Sequence, residues 1–225
     1  ITKLFLAGIV PGVLMGIAIG LTWWWVAKRE NVQPGPRVPM GERLRITARG
    51  SLALALPVVI MSALGMMFMA SANDLLSVFV SLEFSTLGFY ILVSYLRDDL
   101  ASNEAGLKFF ILGVFAAGLF AYGISLVYGE TGKLVFSDMA SAPATPGLII
   151  GFLLIFAALG FKIGAVPFHS WIPDTYHGAP TPVTAFLSIA PKGAALAILL
   201  RIFIVALGTF KPPWIYLLVA VSIVS

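Results

Sequence analysis

"GFKIGAVPFHSWIPDTYHGAPTPVTAF" occupies residues Gly160–Phe186, and it decides how the chain is interpreted. It carries one lysine, two histidines, one aspartate and four prolines between two long apolar segments. A helix that faces lipid excludes such residues, because a polar group without a partner is costly in hydrocarbon. Proline also removes a backbone donor and interrupts a helix. The stretch therefore predicts a broken helix whose interruption is buried in protein or lines water.

The composition of the whole chain indicates an integral membrane protein. Of its 225 residues, 60% are hydrophobic and 11% are charged, and the mean hydropathy is +1.00. A soluble domain is about 25% charged. Cysteine is absent, which excludes disulfides and thiolate metal sites, and two histidines without an acidic cluster do not complete a metal site.

The net charge of +4 does not point to a nucleic-acid partner. Six of the fourteen basic residues lie in one short loop, Lys28–Arg49, between two apolar segments. Membrane topology explains this cluster, because cytoplasmic loops collect lysine and arginine. The loop is therefore predicted to be cytoplasmic, with the Arg97–Glu104 turn on the same side and the Gly129–Pro146 loop outside. The piece "RVPMGERLRITARG" within it predicts either an interfacial amphipathic helix or a solvated basic loop.

Hydropathy and length predict an all-α bundle of about six to seven transmembrane helices, one of them discontinuous. A spanning helix needs about 20 apolar residues, and six segments meet this need, with a seventh starting near Trp214. The alternation typical of a β-barrel is absent. The six predicted spans are Leu4–Ala27, Ser51–Ser71, Asp74–Leu96, Ala105–Tyr128, Gly147–Val166 and Pro182–Leu207.

Four charged residues fall inside these predicted spans. Glu83 and Lys192 lie about 14 and 15 Å from the starts of their spans, near the bilayer centre. Lys162 directly precedes the predicted break, whereas Lys108 lies early in its span, where its ammonium can reach the interface. Burying each charge costs about 3 kcal/mol on insertion scales. Two hypotheses account for the set: static ion pairs that tie helices together, or groups that take up and release protons.

Prolines locate the predicted break. Pro167 and Pro173 predict an interruption between Val166 and Asp174, followed by a new helix from about Pro182. His169 and Asp174 are then expected at a hydrated break beside Lys162. Histidine titrates near physiological pH, so His169 is a candidate proton carrier, and the alternative is a capping or packing role.

Several motifs resemble one membrane-protein family, and they recur in the family's order. They are "ASANDLLSVFVSLEFSTLGFYILVSY", "SNEAGLKFFILG", "GFKIGAVPFHSWIPDTYHGAPTPVTAFLS" and "APKGAALAILLR", between Leu64 and Phe203. They resemble the antiporter-like subunits of respiratory NADH–quinone oxidoreductase (complex I), and most closely subunit N. The resemblance implies the fold of the first of that family's two inverted repeats. The second repeat is not found in the chain, which is expected to be truncated at its C-terminus.

The same resemblance implies roles for individual residues. Glu83 matches a glutamate coupled to the lysine channel, and Lys162 matches the proposed proton-holding lysine at the broken helix. Lys192 matches a lysine that relays protons toward the channel centre, and Lys108 matches a further lysine of this subunit. The resemblance also implies no catalytic site and no directly bound cofactor, with NADH and quinone used by partner subunits. The implied partners are the other membrane subunits and the lipid of the bacterial inner (cell) membrane, without nucleic acid.

The beginning of the chain resembles a different family. Lys3–Met61, with "LFLAGIVPG" and "ALPVVIM", is similar to the large membrane subunit of tripartite ATP-independent periplasmic (TRAP) transporters. The predicted organisation is therefore a transporter-like part, residues 1–61, joined to an antiporter-like domain, residues 62–225. Three functions remain open: a proton-translocating subunit, a fragment of a secondary carboxylate transporter, and an inactive membrane chimera.

Overall fold

The structure, a computed structural model, describes residues 40–207 and 211–224, and every described element is helical apart from one isolated β-bridge. The predicted span Leu4–Ala27 lies outside the described residues. The helices are α1 (Met40–Ser71), α2 (Leu75–Val93), α3 (Leu100–Thr131), the single turn α4 (Phe136–Met139), α5 (Pro146–Ile163), α6 (Trp171–Gly178), α7 (Thr181–Arg201) and α8 (Lys211–Val224).

Four of the described helical segments are long and apolar enough to cross a membrane. They are Leu75–Val93, Leu100–Thr131, Pro146–Ile163 and Thr181–Ala206, the last including a π-helical turn that extends α7. Ala55–Ser71 is a shorter apolar segment. The prediction of an all-α, multi-pass membrane protein is confirmed. Residues 40–50 of the basic loop are also helical.

Local side chains determine where the helices begin. Asp74 precedes α2 and accepts a hydrogen bond from the Ser77 backbone N–H at 2.8 Å. Asp99 does the same for the Ala101 N–H at 3.0 Å, at the start of α3. Thr145 precedes α5 and accepts from the Leu148 N–H at 3.2 Å. Each oxygen satisfies a backbone donor that the first helical turn leaves unpaired.

Backbone pairing and one arginine join the loops at the end of the bundle where α2 begins. The Leu75 N–H donates to Leu134 O at 3.1 Å, and the Phe136 N–H donates to Asn73 O at 3.0 Å. From the end of α7, the Arg201 guanidinium donates to Ala70 O at 2.9 Å and to Asn73 Oδ1. These bonds satisfy polar groups of the α1–α2 turn, which would otherwise be costly near lipid.

Two buried apolar clusters fill the unit formed by residues Ser51–Ser225. One includes Leu75, Phe120 and Leu159, and the other includes Phe89 and Trp171. Large apolar side chains are also exposed along α1, α2, α3, α5 and α7. This outward apolar surface is typical of helices that face lipid, which is as apolar as the side chains themselves.

The predicted helix break is present, but it begins earlier in the chain than expected. Helix α5 ends at Ile163, because Gly164 adopts a left-handed conformation with φ = 80°, and the Gly164 and Ala165 N–H groups turn back to Gly160 O at 2.8 and 2.9 Å. Glycine reaches this conformation without steric cost. The interruption ends where α6 begins, at Trp171.

Of the two prolines assigned to the break, one lies elsewhere. Pro167 is in the interruption, as predicted. Pro173 is the third residue of α6 and does not break a helix. In a first turn the backbone N–H has no helical partner, so a proline there removes nothing that the helix uses. Helix α7 begins at Thr181, one residue from the predicted start.

Candidate functional site

Helix α5 ends inside the bundle, and its depth there can be measured along α3. The Lys162 ammonium, in the last turn of α5, lies 5.9 Å from the centre of the Phe109 ring. Phe109 is about 14 Å along α3 from its start at the 1.5 Å helical rise. At the far end of α6, Gly178 packs against Ala101, in the first turn of α3. Helix α6 therefore completes the crossing that α5 leaves at the level of Lys162.

Two aromatic rings hold α6 in this place. The Trp171 ring stacks on the Phe109 ring with centroids 4.9 Å apart. Its indole Nε1 donates a hydrogen bond to Phe161 O at 2.7 Å, across the break. This carbonyl belongs to the last turn of α5, and it also accepts from the Gly164 N–H at 3.1 Å. Trp171 therefore adds a second donor to the buried end of α5 and joins α6 to it.

The Lys162 side chain points to α2. It is partly buried, and its Nζ donates a hydrogen bond to Thr86 Oγ1 at 2.6 Å. The Thr86 hydroxyl in turn donates to Leu82 O at 2.6 Å. Lys162 also borders a cavity of about 10 Å³ that is otherwise mostly apolar. A cavity of about 10–15 Å³ is the smallest that holds one water molecule.

Glu83 lies one helical turn before Thr86 and is partly buried. Its carboxylate is close enough to the Lys162 ammonium for an electrostatic interaction. The two groups do not form a salt bridge. Among residues 55–207 the salt bridges are both made by another lysine, Lys108. Glu83 is thus near the proposed proton-holding lysine without neutralising it by direct contact.

Lys192 approaches the break from α7. It lies about 16 Å from the start of that helix at the 1.5 Å rise. Its Nζ lies 5.4 Å from the centre of the Tyr176 ring and 4.0 Å from the position that a Cβ atom on Gly164 would occupy. A ring face attracts an ammonium through its quadrupole. Two lysines from different helices therefore meet at the interruption, and an aromatic ring faces each of them.

Lys108 is outside this group. Its ammonium lies 2.6 Å from Glu104 Oε1 and 3.1 Å from Asp174 Oδ2, and its side chain is 43% exposed. The expectation that the Lys108 ammonium reaches the interface stays a prediction. The position of Asp174 is a correction, because it was expected beside Lys162 and instead pairs with Lys108. The pairing follows from α6 beginning at Trp171, which turns Asp174 toward the outer side of α3.

The two histidines are exposed. His169 lies in the interruption, where its backbone oxygen accepts a hydrogen bond from the Ile172 N–H at 3.0 Å. His177 lies near the end of α6. The structure therefore does not bury His169 with Lys162, although both belong to the same interrupted segment.

Sequence reasoning did not assign Thr86, Phe109 or Tyr176 to the site. The signal for Thr86 was its position three residues after Glu83, on the same side of a helix. Phe109 and Tyr176 carried no such signal, because aromatic residues are common in membrane helices. In the described part of the chain, no three His, Cys, Asp or Glu side chains cluster as metal ligands would.

Comparison with known proteins identifies the family to which this site belongs. Residues 72–225 match the family described as NADH:quinone oxidoreductase/Mrp antiporter, transmembrane. NADH-quinone oxidoreductase subunit N of Rhodospirillum rubrum is 46% identical over 172 residues, which are 74% of this chain and 35% of that protein. The subunit N of Sphingopyxis alaskensis is 47% identical over 170 residues, 74% of this chain and 36% of that protein. The chain thus spans about a third of the length of these relatives.

Solved structures show the same relationship. A chain of respiratory complex I from Thermus thermophilus is 43% identical, with a TM-score of 0.59 over 64% of this chain and 33% of that one. A chain of the membrane-bound sulfane sulfur reductase, an archaeal respiratory membrane complex, is 26% identical, with a TM-score of 0.64 over 73% of this chain and 34% of that one.

The resemblance drawn from the motifs between Leu64 and Phe203 is confirmed. The similarity of residues 1–61 to TRAP transporters, and the domain boundary after residue 61, stay predictions. The family match covers more than half of the sequence. The chain therefore belongs to the transmembrane NADH:quinone oxidoreductase/Mrp antiporter family, and its relatives in that family are named subunit N of NADH-quinone oxidoreductase.

Proposed function

We propose that this chain is part of a proton-translocating membrane subunit of an NADH–quinone oxidoreductase. The single observation that carries the proposal is the state of Lys162. Its ammonium lies inside the bundle, in the last turn of α5, bonded to a hydroxyl and electrostatically coupled to Glu83 without a salt bridge. A lysine held in this way retains a proton that a small change in its surroundings can release.

Each charged residue has a role in the proposal. Lys162 holds the proton, and Glu83 stabilises the ammonium when the two groups approach. Lys192, on the other side of the break, receives the proton and passes it on. His169 is exposed and the Lys108 side chain is 43% exposed, and in this proposal both lie on the path by which protons enter from water.

The proposal extends to assembly and location, and the names of the relatives support it. The partners are the other membrane subunits of the complex, in which partner subunits use NADH and quinone and this chain binds no cofactor directly. The membrane is the bacterial inner membrane, with the loop Lys28–Arg49 on the cytoplasmic side because of its six basic residues. A carboxylate transporter explains the N-terminal resemblance but not two lysines at a helix break. An inactive chimera would carry the same two lysines, and the absence of proton flux in the assembled complex is what would distinguish it.

Proton flux in proteoliposomes that contain the assembled complex tests the proposal. Lys162→Ala is expected to reduce flux per assembled complex by about a hundredfold, typical of the loss of a proton-transferring group. Lys108→Ala is the comparison variant, and it is expected to reduce the flux less than Lys162→Ala does, because the Lys108 ammonium lies among exposed carboxylates. Lys162→Arg is expected to impair flux as well, since a guanidinium does not release its proton at working pH.

The variants separate proton transfer from a structural ion pair. A structural role predicts that arginine restores function and that alanine lowers the amount of assembled complex. Full flux with Lys162→Arg would therefore refute the proton-holding role. Assembly is measured on the same samples by the yield of intact complex, so that a folding defect is not counted as a loss of transfer.

A further inference from the structure

The hydroxyl of Thr86 has one arrangement available to it. Its hydrogen is directed to Leu82 O at 2.6 Å, and its oxygen accepts from the Lys162 ammonium at 2.6 Å. A hydroxyl carries a single hydrogen, so with that hydrogen engaged the oxygen acts only as an acceptor. Thr86 is 1% exposed, so bulk water does not reach this oxygen. The site is thus a fixed acceptor that faces a lysine on another helix.

The neighbouring hydroxyl shows that this arrangement is specific. Ser85 is also buried, and it also donates to Leu82 O, at 2.8 Å. Its oxygen does not bond Lys162 in the described structure. Two adjacent hydroxyls therefore use the same backbone acceptor, and only Thr86 presents a lone pair to the ammonium.

The position of Thr86 relative to Glu83 places two alternative partners within reach of Lys162. The two residues are three apart on α2, so they lie one turn from each other on the same side of the helix, about 5 Å apart along its axis. A lysine side chain has four rotatable carbon–carbon bonds and covers such a distance by changing rotamers. Lys162 can thus be held by the Thr86 hydroxyl, as observed, or by the Glu83 carboxylate.

We propose that Thr86 is a positioning residue that holds Lys162 off Glu83 and keeps its proton transferable. This inference rests on the proposed proton-translocating function. A direct Glu83–Lys162 salt bridge in a medium of low dielectric strongly favours the charged pair and retains the proton. A neutral hydroxyl is a weaker partner, so the proton leaves the Thr86-bound lysine more easily. Thr86 does not carry the proton, because its own hydrogen is engaged with a carbonyl.

Removing the hydroxyl tests this role in the assembled complex in proteoliposomes. Thr86→Val preserves the shape of the side chain and is expected to lower NADH-driven proton flux per assembled complex by about tenfold, the order of effect of losing a hydrogen bond to a charged group. Thr86→Ser keeps the hydroxyl and is expected to restore at least half of the flux. Ser85→Ala is the matched control, and it is expected to leave the flux near that of the natural protein.

The outcomes distinguish this inference from the function on which it rests. Wild-type flux in Thr86→Val overturns the inference, and so does an equal loss in Thr86→Val and Ser85→Ala, because that pattern indicates disturbed packing of α2. A loss in Thr86→Val that Thr86→Ser does not recover also overturns it. Thr86→Ala is measured in parallel. If Thr86→Val assembles poorly, Thr86→Ala takes its place, and the same outcomes overturn the inference. Lys162→Ala, run beside them, reports on the proposed function alone: full flux there refutes the function, whereas lost flux there with full flux in Thr86→Val refutes only the inference.

Discussion

At the scale of the residue, the end of α5 depends on Gly164. Its φ of 80° lies in the left-handed region, and a Cβ there would overlap Ile172 Cδ1, on α6. Gly164→Ala is therefore expected to lower the free energy of unfolding by about 1–2 kcal/mol from the backbone alone, with a further loss from the overlap. Gly193→Ala is the control, since nothing lies within 4 Å of its Cβ position inside α7. Alanine there is expected to stabilise the helix by about 0.5–1 kcal/mol. The thermal unfolding midpoints of the assembled variants, compared in one detergent, measure both, and a stable Gly164→Ala would contradict the conformation described.

At the scale of the element, the short helix α6 is attached to α3 by Lys108 and Asp174. Glu104 completes this ionic group. The three side chains are each more than 40% exposed, so solvent and salt screen their interactions. Asp174→Asn is expected to increase amide hydrogen exchange in α6 at low salt, and the increase is expected to disappear at about 1 M salt, where screening is nearly complete. Glu104→Gln is the control, because Glu104 and Lys108 are both on α3, so that pair does not connect the two helices. Equal effects of the two variants would show that the ion pair does not attach α6.

At the scale of the whole molecule, the connections place successive loops at opposite ends of the bundle. The turn between α2 and α3 and the loop before α5 are separated by the full length of α3, which has 32 residues. The 225 residues contain no cysteine, so a single introduced cysteine is the only one among them. Asp98→Cys and Ala144→Cys replace exposed residues in these two connections. A membrane-impermeant maleimide is expected to label Asp98→Cys from the cytoplasmic side and Ala144→Cys from the other side. Labelling of both from one side would contradict the arrangement of spans, and a reversed pattern would contradict only the assignment of the basic loop to the cytoplasm.

Much of this architecture was predictable from the sequence, because its signals are local. Long apolar segments specify spanning helices, since the bilayer offers the backbone no other hydrogen-bonding partners. The polar and proline-rich stretch after Gly160 predicted an interruption for the same reason. The charged residues Glu83, Lys162 and Lys192 were found in the sequence because a charge within a span is rare and costly.

Only the tertiary structure decided how these parts meet. The break starts at Gly164 and not at a proline, because a left-handed glycine ends α5 before the chain reaches Pro167. Asp174 pairs with Lys108 and not with Lys162, since the orientation of α6 depends on the stacking of Trp171 on Phe109. Thr86 is the partner of Lys162 although 76 residues separate them in the chain. Local sequence fixes which residues are helical and which charges are buried, whereas the partner of each buried charge depends on contacts between helices distant in sequence, which no local pattern encodes.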